Sequence, residues 1–164
     1  MRQLLAFVAT ALVLAACASN PYNADRVPVG ATRQEVLQRL GAPTRTVAIP
    51  GGERMQYSLQ PFGQFAWNVD LDAAGKVTRV HQMLNTIDFD RIVPGQWTRD
   101  DVEREFGPPG MIEHVGNWDG PILTYRWRDR DRSDMFYWIY VDAGNVVRRA
   151  HPGMEFINAP ADRS

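Results

Sequence analysis

Thr32-Arg33-Gln34-Glu35-Val36-Leu37-Gln38-Arg39-Leu40-Gly41-Ala42-Pro43 is matched later in the chain by Thr98-Arg99-Asp100-Asp101-Val102-Glu103-Arg104-Glu105-Phe106-Gly107-Pro108-Pro109. An internal repeat of this kind decides the architecture, because each copy specifies one small structural unit. In both copies a Thr can accept from first-turn amides while an acid three residues on (Glu35, Asp101) reaches back, which is a capping box. Aspartate is the shorter variant, so the second box is the weaker. Val36 with Leu40, and Val102 with Phe106, place apolar side chains four apart on one helical face. Gly41 and Gly107 suit the left-handed closing position, and a proline two residues later stops each helix. Gly30 and Gly95 make the lead-in turns.

Beyond each helix the period changes to two. Met55, Tyr57 and Leu59 point one way in the first half, as do Leu123, Tyr125 and Trp127 in the second. Longer strands follow at 65–71 and 135–141. Each ends in a hairpin signal, Asp72-Ala73-Ala74-Gly75 or Asp142-Ala143-Gly144-Asn145, before a further strand from Val77 or Val146. The expected fold is α+β: two tandem repeats (27–84 and 85–151), each a short helical segment packed on a three- to four-stranded antiparallel meander. Residues 152–164 read as a flexible tail with little reason to fold.

The amino terminus carries an address. Arg2, an apolar run from Leu4 to Leu14 and the small-residue exit Leu14-Ala15-Ala16-Cys17 read as a secretory signal over 1–16. The run is too short to cross a hydrocarbon core, which needs about 20 apolar residues. Its form resembles a bacterial lipobox, which implies cleavage before Cys17 and acylation of that cysteine, with several chains giving stable attachment. Ala18, in place of Asp, implies sorting to the outer membrane. Residues 17–26 would be anchor and polar tether, with 18–26 reaching roughly 30 Å at full extension.

Composition excludes several classes. The chain is 45% hydrophobic and 23% charged, neither disordered nor fibrous. Loss of Arg2 leaves 17 basic against 19 acidic residues, a charge of about −2 that gives no electrostatic case for nucleic acid. Cys17 is the one cysteine, so its acylation leaves none for a disulfide, thiolate metal site or thiol nucleophile. His81, His114 and His151 stand in no metal-ligand spacing. Ser58 lies within a strand pattern rather than a nucleophile elbow, Gly51-Gly52 reads as a turn, and turn propensity accounts for Asp72 beside Asp70. No catalytic residue, metal or cofactor is expected, and the chain reads as a non-enzyme.

A binding surface is the remaining prospect. In the run from Arg126 to Asp134, alternation sends Arg126 and Arg128 to the face opposite Tyr125 and Trp127. In the next strand Tyr137, Ile139 and Val141 take one face and Phe136, Trp138 and Tyr140 the other. A meander packed on its helix needs one apolar face, so three further aromatics beside arginines have the composition of a binding patch. The competing reading is that the other repeat's sheet, or the Trp97 and Trp118 loops, cover them. The first repeat reads differently: Phe65, Trp67, Val69 and Leu71 form an apolar face against a small polar one of Ala66, Asn68 and Asp70, so its sheet is expected to have a single buried side.

The combined pattern of Gly-x-Thr, an acid-Val helix, Gly-x-Pro, an aromatic strand and a closing Asp-x-x-Gly-type turn resembles the SmpA/OmlA domain of BamE-type outer-membrane lipoproteins. The residues carrying it include Leu71-Asp72-Ala73-Ala74-Gly75-Lys76-Val77 and Val141-Asp142-Ala143-Gly144-Asn145-Val146. The lipobox is shared. The tandem form is similar to the β-lactamase-inhibitor-protein fold, whose joined sheets form a concave surface. The resemblance implies an outer-membrane, periplasm-facing lipoprotein that binds another envelope protein in outer-membrane protein assembly or envelope integrity, with anionic phospholipid as a further contact. The alternative is an inhibitor-type binder of a periplasmic enzyme through a concave aromatic and arginine surface.

Overall fold

The structure is a computed structural model that describes residues 21–155. The signal stretch, Cys17 and residues 156–164 lie outside the described residues. Pro21–Arg26 forms 3-10 turns broken by a kink at Asn23, and Ala24 is fully buried, so most of the expected tether is already part of the folded body. The first half continues with α1 (Arg33–Leu40), β1 (Arg45–Ile49), β2 (Gly52–Ser58), β3 (Ala66–Asp72) and β4 (Val77–Gln82). The second has α2 (Thr86–Phe89), α3 (Arg99–Phe106), β5 (Met111–Glu113), β6 (Ile122–Arg128), β7 (Asp134–Val141) and β8 (Val147–Met154). The strands form two antiparallel four-stranded sheets in the orders β1-β2-β3-β4 and β5-β6-β7-β8. The fold is α+β with two similar halves.

The repetition extends to individual hydrogen bonds. Both capping boxes are complete, with Thr32 and Thr98 each accepting from the third helical amide at 3.2 Å. Gly30 N–H donates to Val77 O and Gly95 N–H to Val147 O, both at 2.7 Å. Asp72 Oδ1 accepts from the amides of Ala74 and Lys76, and Asp142 Oδ1 from those of Gly144 and Val146, all at 2.9 Å. The turn position that closes each hairpin has positive φ, filled once by Gly75 and once by Asn145, the non-glycine residue that tolerates it best. Gly41 and Gly107 also have positive φ, but their ψ values of −163° and −175° put them outside the expected left-handed helical region. They occupy an extended mirror region open essentially to glycine alone.

The Thr98 hydroxyl and then its amide hold the Asp101 carboxyl below its ordinary value of 3.8. The Thr32 amide and then its hydroxyl do the same for Glu35. A carboxyl held low in the folded state stabilises above its unfolded pKa, and that contribution is lost as pH falls through the folded value. Thr98→Ala is therefore expected to cost about 1 kcal/mol near neutrality and progressively less below about pH 4, read from urea midpoints. A cost independent of pH would show that the bond from the Thr98 hydroxyl to the Asp101 carboxylate adds nothing.

By internal packing the chain divides into two compact units whose borders differ from those of the repeats. Among the described residues, one takes the chain up to Met55 together with Val69–His81, and the other takes Gln56–Asn68 and the chain from Gln82 on. In the first, Val27, Val36, Leu40, Met55, Val69, Leu71 and Val77 are buried. In the second, α2 supplies a segment the sequence reading passed over. Asn85 caps it by accepting from Asp88 N–H at 3.0 Å, which presents Phe89 to a cluster with Phe106, Leu123, Tyr125, Trp127, Tyr137 and Ile139. Burial there pushes the Tyr137 phenol up to about 12.

The expectation of a single buried side for the first sheet is overturned. Asn68 and Asp70, read as a solvated polar face, are 2% and 8% exposed. Both are buried because both are satisfied. Asp70 takes two bonds from Arg54, at 2.6 and 3.0 Å. Within the second unit, Asn68 donates to Glu105 O at 2.8 Å and Gln56 to Glu103 O and Arg104 O at 3.2 and 3.0 Å. The last carbonyls of a helix have no partner inside it, and these two amides cap the end of α3. The Tyr125 hydroxyl adds a bond to Gly107 O at 2.8 Å.

Strand β8 also departs from expectation. Pro152 lies opposite Tyr137 and Gly153 opposite Phe136, so 152–154 belong to the sheet and not to the tail expected from 152. Proline is tolerated there because β8 is an edge strand, where a missing N–H breaks no ladder bond.

Candidate binding face

Alternation along β7 works as the sequence reading has it. Tyr137, Ile139 and Val141 are buried in the core, while Phe136, Trp138 and Tyr140 face outward and are half-buried. Register sets their neighbours: Arg126 lies opposite Phe136 and Thr124 opposite Trp138 on β6, with Gly153, His151 and Arg149 opposite Phe136, Trp138 and Tyr140 on β8. The rings form a row. Phe136 and Trp138 are 5.6 Å apart between centroids, Trp138 and His151 5.4 Å, and His151 and Tyr140 5.5 Å, the last pair near-parallel. Arg149 places its guanidinium 5.0 Å from the Tyr140 ring centre. At Gly153 the Trp138 ring occupies the space a Cβ would need, so any larger residue there would push the ring aside.

The covering loops act unequally. Trp118 meets the edge of Tyr140 at 5.4 Å and 85° and donates from Nε1 to Val141 O at 3.0 Å, which holds one end of the row. Trp97 packs instead on the core cluster, its ring 6.3 Å from Phe106. Phe136 and Trp138 thus keep a wetted side, and half-exposed aromatic area is what recognition surfaces concentrate.

The arginines divide. Arg126 closes on Glu155, with Nε 2.8 and 3.0 Å from the two carboxylate oxygens, and Nη1 donates to Pro61 O at 2.8 Å. Arg128 is exposed and pairs with Asp134 at 3.1 Å. Gln64 Nε2, 2.8 Å from Asp134 Oδ1, and then Arg128 hold that carboxyl below its ordinary range. Arg126, Phe136, Trp138 and Tyr140 share one face, as alternation predicts, and Trp118, expected as a candidate cover, closes one end of it; Arg149, His151 and Glu155 were not anticipated. Register fixes Arg149 and His151 opposite Tyr140 and Trp138, while Glu155 follows the end of β8, and none of the three has a local signal beyond residue type.

Among the described residues there is no cluster of three or more His, Cys, Asp or Glu that could hold a metal ion. Nor does any described helix have the length and apolar character to cross a membrane. No family model matches the chain, and no curated protein matches it. Among solved structures it is similar to a DUF4309 family protein (YjgB) of Bacillus subtilis subsp. subtilis str. 168, at 14% identity and a TM-score of 0.33, over 76% of this chain and 79% of that one.

Proposed function

We propose that this chain is a non-enzymatic lipoprotein, acylated at Cys17 and held on the periplasmic side of the outer membrane, that binds another envelope protein in outer-membrane protein assembly or envelope integrity. The observation that carries the binding role is the row Phe136–Trp138–His151–Tyr140, partly exposed on the outer face of β7 and β8. The inhibitor-type alternative leans on Arg126, whose guanidinium is taken up by Glu155 and Pro61. The assembly role is therefore preferred.

The test is recovery of outer-membrane assembly components on the tethered protein. Trp138→Ala should lower that recovery roughly 30-fold, the scale of an interface hot spot, while shifting the melting temperature by only a few degrees. A loss of 3 kcal/mol or more on the scale of core truncations would make Trp138 a core residue. No recovered component, with unchanged outer-membrane protein levels in a deletion strain, would end the assembly role. Cys17→Ser should move the protein from the membrane to the soluble fraction.

A further inference from the structure

We infer that Phe62 is the anchor of this same face, and that its partner is a folded protein with an apolar pocket able to take one aromatic ring. The inference rests on the binding-face reading and adds to it a residue and the partner's chemistry. Phe62 is 94% exposed, more than any other large apolar side chain described. A single exposed apolar residue is ordinary; what sets this one apart is how firmly its loop is held.

The loop 59–65 is fastened to β6 by side chains on both flanks. Gln60 accepts from Arg126 N–H at 2.9 Å and donates to Arg126 O at 2.6 Å, filling an edge of β6 beyond its pairing with β5. Arg126 in turn donates to Pro61 O at 2.8 Å. On the far side Gln64 bonds Asp134 at 2.8 Å, and Gly63 N–H donates to Leu59 O at 2.6 Å. A ring projected from a backbone already this ordered loses little further freedom on binding, the usual advantage of preorganisation.

The surrounding charges indicate the partner. Apolar anchors for lipid surfaces work beside unpaired Lys or Arg that meet anionic headgroups. The charges touching this loop are instead closed pairs, Arg126 with Glu155 and Arg128 with Asp134. With both of these cations already paired, the projecting ring itself is left to supply the contact, as an anchor filling a desolvated pocket on a protein partner does. Arg126 lies opposite Phe136, so the Phe62 loop continues the ring row at its far end.

The experiment places a benzophenone photo-crosslinker at position 149, on the face, in cells making the full chain, with a second probe at position 62 and a control at exposed Val29. The expected result is a discrete protein adduct from positions 149 and 62 and none from 29. Phe62→Asp should cut the yield at 149 about tenfold or more, Phe62→Tyr should leave it within about threefold, and neither should move the melting temperature. An undiminished adduct at 149 in Phe62→Asp would overturn the anchor while leaving the face intact. Adducts of twice the chain's mass, or lipid adducts alone at 62, would overturn the pocketed-protein partner. No adduct from either position would overturn both readings.

Discussion

Phe89→Ala is expected to lower the unfolding free energy by about 3–5 kcal/mol, the range for truncating a fully buried aromatic. The Phe89 ring lies flat on Tyr137 at 3.9 Å and 3°, stacks on Phe106 at 5.0 Å and meets Trp127 edge-on at 5.6 Å. It enters the core from α2, a four-residue helix, and so has no long element behind it to refill the gap. A domain of this size has about 5–15 kcal/mol in all, so the loss should be plain in a urea titration. A second readout is independent of the midpoint. Burial holds the Tyr137 phenol at about 12 against an ordinary 10.0, and removal of the ring stacked on it should bring the phenolate transition back toward the ordinary value. A cost under about 1 kcal/mol with an unmoved phenol would mean that the core closes over the gap and that the stack adds little.

Asp70→Ala should cost a similar amount for a different reason. Arg54 and Asp70 form a two-bond pair with side-chain exposures of 8% and 11%. Burying an ion pair is close to neutral overall, whereas removing Asp70 strips two charge-assisted bonds from a buried guanidinium, at about 3–5 kcal/mol. Arg54→Met with Asp70→Leu should then be far milder than Asp70→Ala alone, near neutral or stabilising. Thermal unfolding of the two variants compares them directly. A double variant as damaged as the single one would show that the pair serves specificity of packing, beyond its charge balance.

The parts of this fold that could be read along the chain are those whose chemistry is local. Thr32 with Glu35, and Thr98 with Asp101, close their boxes within one turn, and Asp72 and Asp142 nucleate their hairpins within four residues. Alternation likewise placed Phe136, Trp138 and Tyr140 opposite Tyr137 and Ile139. What stayed hidden depends on distant partners. Nothing near Asn68 announces that Glu105 O will accept from it, and nothing near Arg126 announces Glu155. Polar residues at alternate positions therefore looked solvated when they were paired. The α2 signal was local and was missed: Asn85 with Asp88 three residues on is a cap pattern, followed by too short an apolar run to stand out. Pro152 was read as the end of a strand, although an edge strand accommodates it.

The Gln56–Asn68 hairpin, which caps α3 through Gln56 and Asn68, is synthesised before its packing partners. When it leaves the ribosome, the carbonyls it will satisfy and the β6 backbone that Gln60 will bind have yet to emerge. The duplicated pattern invites cutting the chain between its copies, but a fragment beginning at residue 85 would lack the hairpin that completes the later unit. The gene-level module and the unit of cooperative folding are therefore different objects here, offset by one hairpin lent forward along the chain.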